Sequence, residues 1–316
     1  MDSHIRLAVI VGPTASGKTD LAVRLARQWN GEIVSADSMQ IYRDMQIGTA
    51  RPTAEEMQGV PHHLQGFLPL TASYSVAQFV ADAQSCIRDI TARGRLPIVA
   101  GGTGLYVSSL VDGLTFTETR CDEALRAQLQ QRAEAEGGEA LLRELAEFDP
   151  ESASRLHAHN VGRIIRAIEI YRTDGITMTE QMRRSRAHAP DWTLAMIGLN
   201  FRDRAVLYDR INRRVDRMMA DGMEAEARRV LAMQGGATAL QAIGYKELAP
   251  YLNGSMTLPE ALDHLKQATR HYAKRQLTWF RRDSRIQWLE PDALSPDELL
   301  TQSDRILRDA FSAEAL

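Results

Sequence analysis

Short apolar runs alternate with amphipathic helical patterns through the first hundred residues, the arrangement expected of βαβ units that build a parallel sheet. Leu7 to Val11 reads as the first strand. A glycine-bearing loop follows, then Leu21, Ala22, Leu25 and Ala26 recur at helical spacing in a helix that starts near Lys18. Glu32 to Ala36 reads as a second strand ending on Asp37, and Leu96 to Ala100 as another ending on Gly101-Gly102-Thr103-Gly104. Ligands of open α/β sheets bind beyond the carboxyl ends of the strands. Gly12 to Thr19, Asp37 to Gln40 and Gly101 to Gly104 are therefore expected to converge on one crevice.

From about Asp112 the strand pattern stops, and charged amphipathic helices continue to about Pro190, separated by Gly137-Gly138, Asp149-Pro150 and Asp174-Gly175. Trp192 to Asn200 reads as a returning strand, followed by mainly helical sequence with breaks at Gly235-Gly236 and Asn253-Gly254. The expected fold class is α/β. A P-loop core with a mainly parallel sheet flanked by helices (1–111 and 192–316) carries an inserted all-helical domain (112–191).

Composition changes this picture little: 316 residues, 44% hydrophobic, are enough for a substantial core. The acidic, short lead into Leu7 does not resemble a signal peptide, and no apolar run is long enough to cross a bilayer, so a cytoplasmic protein is expected. Cys86 and Cys121 are far apart, with no partner at metal-ligand spacing, and read as inert thiols. The pairs His62-His63 and His157 with His159 lack an acid or cysteine to complete a metal set. A net charge of −3 argues weakly against nucleic acid, but it conceals a local excess of cations. Arg270, Lys274, Arg275, Arg281, Arg282 and Arg285 face only Asp283 and are interleaved with Tyr272, Trp279 and Phe280. That pattern suits phosphate tracking with base stacking, and equally a basic surface helix with core aromatics.

The sequence Gly12-Pro13-Thr14-Ala15-Ser16-Gly17-Lys18-Thr19 fits the P-loop pattern, with the strand before it and the helix after it that the motif requires. Backbone amides of such a loop curl around phosphate oxygens, Lys18 supplies a point charge, and Thr19 can ligate Mg²⁺. The motif leaves open whether the ligand is ATP or a pyrophosphate ester. Asp37 at a strand tip can accept a proton, cap a turn or sit near Mg²⁺. Arg210, Arg214 and Arg217 recur at helical spacing, and one of them could clamp a leaving phosphate.

Taken together, the segments VGPTASGKTDLA, EIVSADSMQIYRDMQIGTARP, VPHHL, PIVAGGTGLY, HNVGRIIRAIEIY, INRRVDRMMADG, QAIGYKEL and RHYAKRQLTWFRR resemble the bacterial tRNA dimethylallyltransferase family over nearly the whole chain. The resemblance implies transfer of a dimethylallyl group from its pyrophosphate to N6 of the adenosine 3′ of the anticodon, in tRNAs reading codons that begin with U. It implies Asp37 as general base, Thr103 as a residue fixing the substrates, and the P-loop with Arg217 and Mg²⁺ on the pyrophosphate. It further implies that tRNA contacts Asp37, Ser38, Met39, Gln40 and Thr103, then Val161, Gly162, Arg163, Ile164 and Ile165. The same surface would include Ala242, Ile243, Gly244, Tyr245, Lys246 and Glu247, with Arg275, Gln276, Trp279, Arg281 and Arg282. A monomer that binds the anticodon stem-loop and no membrane is expected.

Three other readings share some of these features. A small-molecule or nucleotide kinase would use the same P-loop and predicts ATP turnover. An adenylate isopentenyltransferase would run the same chemistry on a free nucleotide, but leaves the basic C-terminal third without a role. A non-catalytic RNA-binding module leaves Lys18, Thr19 and Asp37 unexplained.

Overall fold

The computed structural model describes residues 4–114, 122–185, 192–233 and 237–312; Cys121 and the expected break at Gly235-Gly236 lie outside them. The chain separates into two compact units, Met1–Val111 with Asp191–Leu316, and Asp112–Pro190.

The first unit is built on β1 (Ile5–Val11), β2 (Gly31–Ser35), β3 (His62–His63), β4 (Leu96–Gly101), β5 (Trp192–Leu199) and β6 (Ile286–Leu289). They form one parallel sheet in the order β3-β2-β4-β1-β5-β6, with Ala8 beside Ile98 and Ile5 beside Trp192 in register. Its helices are α1 (Lys18–Gln28), α2 (Ala54–Met57), α3 (Val76–Ala92) and α4 (Gly104–Val111). After the second unit come α10 (Arg204–Ala220), α11 (Met223–Ala232), α12 (Ala237–Leu240), α13 (Tyr245–Leu252), α14 (Leu258–Phe280) and α15 (Pro296–Ser312).

The continuous apolar run of β1 follows from burial on both faces. Ala8 and Ile10 join Leu21 and Leu25 of α1 and Ile306 and Leu307 of α15 in one cluster, while the alternating Leu7, Val9 and Val11 point to the opposite face. There α3 packs on β2 and β4, and α4 packs on α3. The sequence pattern does not anticipate β3, β6 or α3. Two residues of β3 and four of β6 are too short for a period-two signal to stand out.

In the second unit, α5 (Glu123–Glu136), α6 (Gly138–Phe148), α7 (Pro150–Arg155), α8 (Val161–Asp174) and α9 (Met178–Ser185) enclose Leu129, Leu141, Leu145, Ile164 and Ile168. Buried Asp149 organises one corner, accepting hydrogen bonds from Ser152 N at 3.1 Å, Thr179 N at 3.0 Å and the Thr179 hydroxyl at 2.6 Å.

On β2, the 1% exposed carboxylate of Glu32 accepts hydrogen bonds from Arg93, from Arg95 at 2.8 Å and from His63 at 2.7 Å, tying the sheet edge to the loop after α3. The Arg93 guanidinium outweighs the cost of burial and brings the Glu32 carboxyl down to about 2, from 4.5 when unpaired. The stabilisation is therefore complete above about 4.5 and is lost as pH falls through about 2. Glu32→Gln is expected to cost about 1–3 kcal/mol at neutral pH and progressively less below 4.5 in urea unfolding; a cost independent of pH would exclude the ion cluster as its cause.

Candidate active site

Because β2, β4 and β1 are adjacent and parallel, the loops at their carboxyl ends meet. They line a cavity of about 300 Å³ with Thr14, Lys18 and Thr19 from the first loop, Asp37 to Gln40 from the second and Gly101 from the third. Helices α10 and α14 complete it with Ile211, Arg214, Val215, Tyr272 and Gln276. The loops are locked to one another. Ala36 N donates to Ala100 O at 2.9 Å, Thr103 N donates to Ala36 O at 3.1 Å, and Ser38 N donates to the Thr103 hydroxyl at 3.0 Å. A side chain at Gly101 would bring its Cβ within 2.2 Å of the Ala36 carbonyl, so this approach requires glycine.

Within the P-loop, Ala15 takes a left-handed conformation (φ 63°), and its carbonyl accepts a hydrogen bond from Arg210 Nε at 2.9 Å. Such a turn bends successive amides toward one point, the geometry of an anion nest. Lys18 Nζ donates to Pro13 O at 3.2 Å. Burial in the cavity, reinforced by Arg214 and opposed by Asp37, lowers the Lys18 ammonium to about 8. The Ser16 hydroxyl is buried without a hydrogen-bond partner among the described residues, so the loop keeps a polar atom in reserve.

Asp37 is held by its own turn: Oδ1 accepts from Met39 N at 2.9 Å and Gln40 N at 3.3 Å. Its Oδ2 makes no hydrogen bond among the described residues, in a cavity it shares with Lys18 and Arg214. One carboxylate oxygen thus fixes the group and the other is available to a ligand.

Helix α14 docks here through one face. Tyr272 lines the cavity, and burial raises the pKa of its hydroxyl, so it stays neutral there. The 5% exposed Gln276 accepts from Thr14 N at 2.9 Å and donates to Gly102 O at 2.9 Å, joining the P-loop to the loop after β4. Trp279 Nε1 donates to the Ser108 hydroxyl at 2.9 Å. Gln276 and Trp279, expected on a tRNA surface, are thus engaged inside the protein, whereas Arg275, Arg281 and Arg282 are exposed.

A second cavity of about 990 Å³ lies on the outer side of the P-loop, lined by Ser16 to Asp20, residues 46–47 and 50–53, and Arg210, Arg213, Arg214 and Arg217. Arg217 is exposed and lines only this one; half-buried Arg214 lines both. Arg214 and Tyr272 are site residues to which sequence reading assigned no definite role. Their signal was spacing: Arg214 lies one turn from Arg210, and Tyr272 one turn before Gln276.

The remaining expected contacts divide by burial. Ile243 and Lys246 line the first cavity with Ala242, while Tyr245 is fully buried and Glu247 caps α13 by accepting from Gly244 N at 2.7 Å. Gln40 is turned to the protein, its amide donating to Thr49 O and Ala50 O at 3.2 Å each. In the second unit, Gly162 and Arg163 are exposed and Val161 half-buried, but Ile164 and Ile165 belong to its core.

The sheet order and the loop after β1 define a P-loop α/β protein whose first loop opens onto a carboxylate-bearing cavity. Residues 40–283 match the family model described as IPP transferase, and residues 5–64 that described as Isopentenyl transferase. A tRNA dimethylallyltransferase of Carboxydothermus hydrogenoformans is 44% identical over 306 residues, covering 96% of this chain and 97% of the relative. One from Bacillus cytotoxicus is 48% identical, covering 90% of each chain. The crystal structure of a tRNA isopentenylpyrophosphate transferase from Bacillus halodurans aligns with a TM-score of 0.73 at 42% identity, covering 99% of this chain and 100% of that one. A eukaryotic dimethylallyltransferase described as acting on tRNA aligns with a TM-score of 0.80 at 26% identity, over 98% of this chain and 80% of that one. The chain belongs to the tRNA dimethylallyltransferase family. Among the described residues no helix is long and apolar enough to cross a membrane.

A bound pyrophosphate favours charged Lys18, so binding takes up a proton and weakens once the unliganded lysine deprotonates. Calorimetric affinity for pyrophosphate is expected to fall about tenfold per pH unit above about 8, relative to a Lys18→Met variant that reports only the ligand's own titration. Identical pH dependence in the two proteins would remove Lys18 from the phosphate site.

Proposed function

We propose that the protein transfers a dimethylallyl group from dimethylallyl pyrophosphate to N6 of the adenosine 3′-adjacent to the anticodon, in tRNAs reading codons that begin with U. The observation that carries this reading is the Oδ2 of Asp37, unpaired among the described residues, in a cavity shared with the P-loop lysine. The exocyclic amine is a weak nucleophile because its lone pair is delocalised. A carboxylate accepting a hydrogen bond from it raises its electron density during attack. A C–N bond forms as the allylic C–O bond breaks, pyrophosphate leaves, and Asp37 takes the amine proton. Lys18, the P-loop amides, Arg214 and Arg217 stabilise the charge that develops on the leaving group. Val215, Met218, Met223 and Leu265 offer an apolar lining for the isoprenoid.

The Thr19 hydroxyl at the start of α1 suits Mg²⁺, which favours few protein ligands beside substrate phosphates and water. When bound there, Mg²⁺ would share the charge of the pyrophosphate.

The target base must leave its stack to reach Asp37. Arg275, Arg281 and Arg282 would hold RNA phosphates, with Arg163 of the second unit as a further contact. A tRNA substrate suits the cytoplasm, and the protein is proposed to act as a monomer.

Incubation with Mg²⁺, labelled dimethylallyl pyrophosphate and unmodified tRNA, followed by nucleoside analysis, tests the reading. Label on the adenosine after the anticodon is expected; label on free adenylate alone, or ATP consumption without label, would replace it with one of the competing activities. Asp37→Asn keeps the turn-forming oxygen and removes the base, so the single-turnover rate should fall by about two to four orders of magnitude with tRNA affinity retained. An equal loss of tRNA binding would make Asp37 a recognition residue. Replacing Arg275, Arg281 and Arg282 by Ala should weaken tRNA binding and flatten its salt dependence by about one unit of slope per lost phosphate contact, and an unchanged slope would take this helix off the RNA.

A further inference from the structure

Residues 46–50 form a wall common to both cavities. Gly48, Thr49 and Ala50 line the smaller one; Gln46, Ile47 and Ala50 line the larger. This segment has no regular secondary structure, and Ala50 adopts a left-handed conformation (φ 47°) that disfavours a side chain. Such a segment keeps one shape only if its surroundings over-determine it.

The determinant is a carboxylate. Glu226 on α11, 3% exposed, accepts from Gln46 N at 3.0 Å and Ile47 N at 2.9 Å on one oxygen. Its other oxygen accepts from Gly48 N at 2.8 Å and from the Tyr245 hydroxyl at 2.8 Å. Among the described residues it has no ion pair, so four neutral donors alone satisfy a buried acid. Tyr245 is fully buried and its ring lies against Gly48, where a Cβ would come within 2.5 Å of the hydroxyl oxygen. From the opposite side Gln40 holds Thr49 O and Ala50 O. The wall is therefore clamped on both sides by side chains distant in sequence. Beside it stand Met218 and Met223, which line the cavity as the apolar surface available to an isoprenoid.

We propose that Glu226, supported by Tyr245, is a positioning residue that fixes this wall and thereby sets the length of allylic pyrophosphate the enzyme accepts. The proposal rests on the prenyl-transfer reading above. Glu226→Gln would retain one acceptor oxygen and turn an amide N–H₂ toward backbone donors, so the segment must retreat and the space beside the methionines widens. Tyr245→Phe removes one of the four hydrogen bonds and leaves the three amides held.

The test is a competition between dimethylallyl and geranyl pyrophosphate on unmodified tRNA, with full-length wild type, Glu226→Gln, Glu226→Asp and Tyr245→Phe, reading the ratio of ten-carbon to five-carbon product by mass. Glu226→Gln is expected to raise that ratio on the order of tenfold or more. Tyr245→Phe should give a smaller rise and Glu226→Asp should stay near wild type, with tRNA affinity unchanged throughout. A wild-type ratio in both Glu226→Gln and Tyr245→Phe, with activity falling only as the folded fraction falls, would overturn the proposal. If Glu226→Gln does not fold, an unchanged ratio in Tyr245→Phe overturns it alone. Absence of any transfer by the wild type would instead overturn the reading on which it stands.

Discussion

Everything in the site depends on β4 lying between β1 and β2. Those two strands are consecutive in the sheet's first crossover, yet they do not pair; the chain leaves a gap that β4 fills sixty residues later, in register with both. Parallel strands all end on the same side, so the gap, once filled, sets three loops side by side at their carboxyl ends. A P-loop alone binds phosphate, and an aspartate at a strand tip alone caps a turn. Their conjunction at one cavity, with a glycine allowing the third loop to close on Ala36, gives the P-loop lysine and the Asp37 carboxylate a shared space.

Helix α14 illustrates how one element divides its labour by periodicity. Tyr272, Gln276 and Trp279 recur at intervals of four and three, so they share a face, on which Gln276 joins the P-loop to the loop after β4 and Trp279 bonds α4. Arg281 and Arg282 fall outside it and meet solvent, while exposed Arg275 stacks over the Tyr272 ring at the cavity. A basic stretch with interleaved aromatics therefore combines a docking face with a polycation, and neither requires the other residues of the run.

Acidic residues show the same division in sharper form. Glu32, Asp149 and Glu226 are all buried, and each has both oxygens engaged by donors from other elements; each ties a loop to the framework. Asp37 differs because, among the described residues, only Oδ1 is engaged, by amides of its own turn. Burial and full satisfaction mark a framework acid, whereas half-satisfaction beside a lysine and an arginine in a cavity marks one available for chemistry.

The sequence by itself determined the strands that flank the P-loop, Asp37 and Gly101, the helical character of residues 123–185 and the P-loop motif that carries Lys18 and Thr19. These are local: period-two or helical spacing and a fixed glycine pattern act over a few residues. It also placed Asp37 at a strand tip, where the structure finds it beside the cavity. Only the tertiary structure decided that Gln276, Tyr245, Ile164 and Ile165 turn inward while Arg163, Arg281 and Arg282 turn outward, since which face of a helix is buried depends on what packs against it. It likewise decided that Arg214 lies between the two cavities and Arg217 on one alone. The wall at 46–50 was the least legible of all. Its shape is imposed by Glu226, nearly two hundred residues away, and no local pattern encodes a hydrogen bond made across that distance.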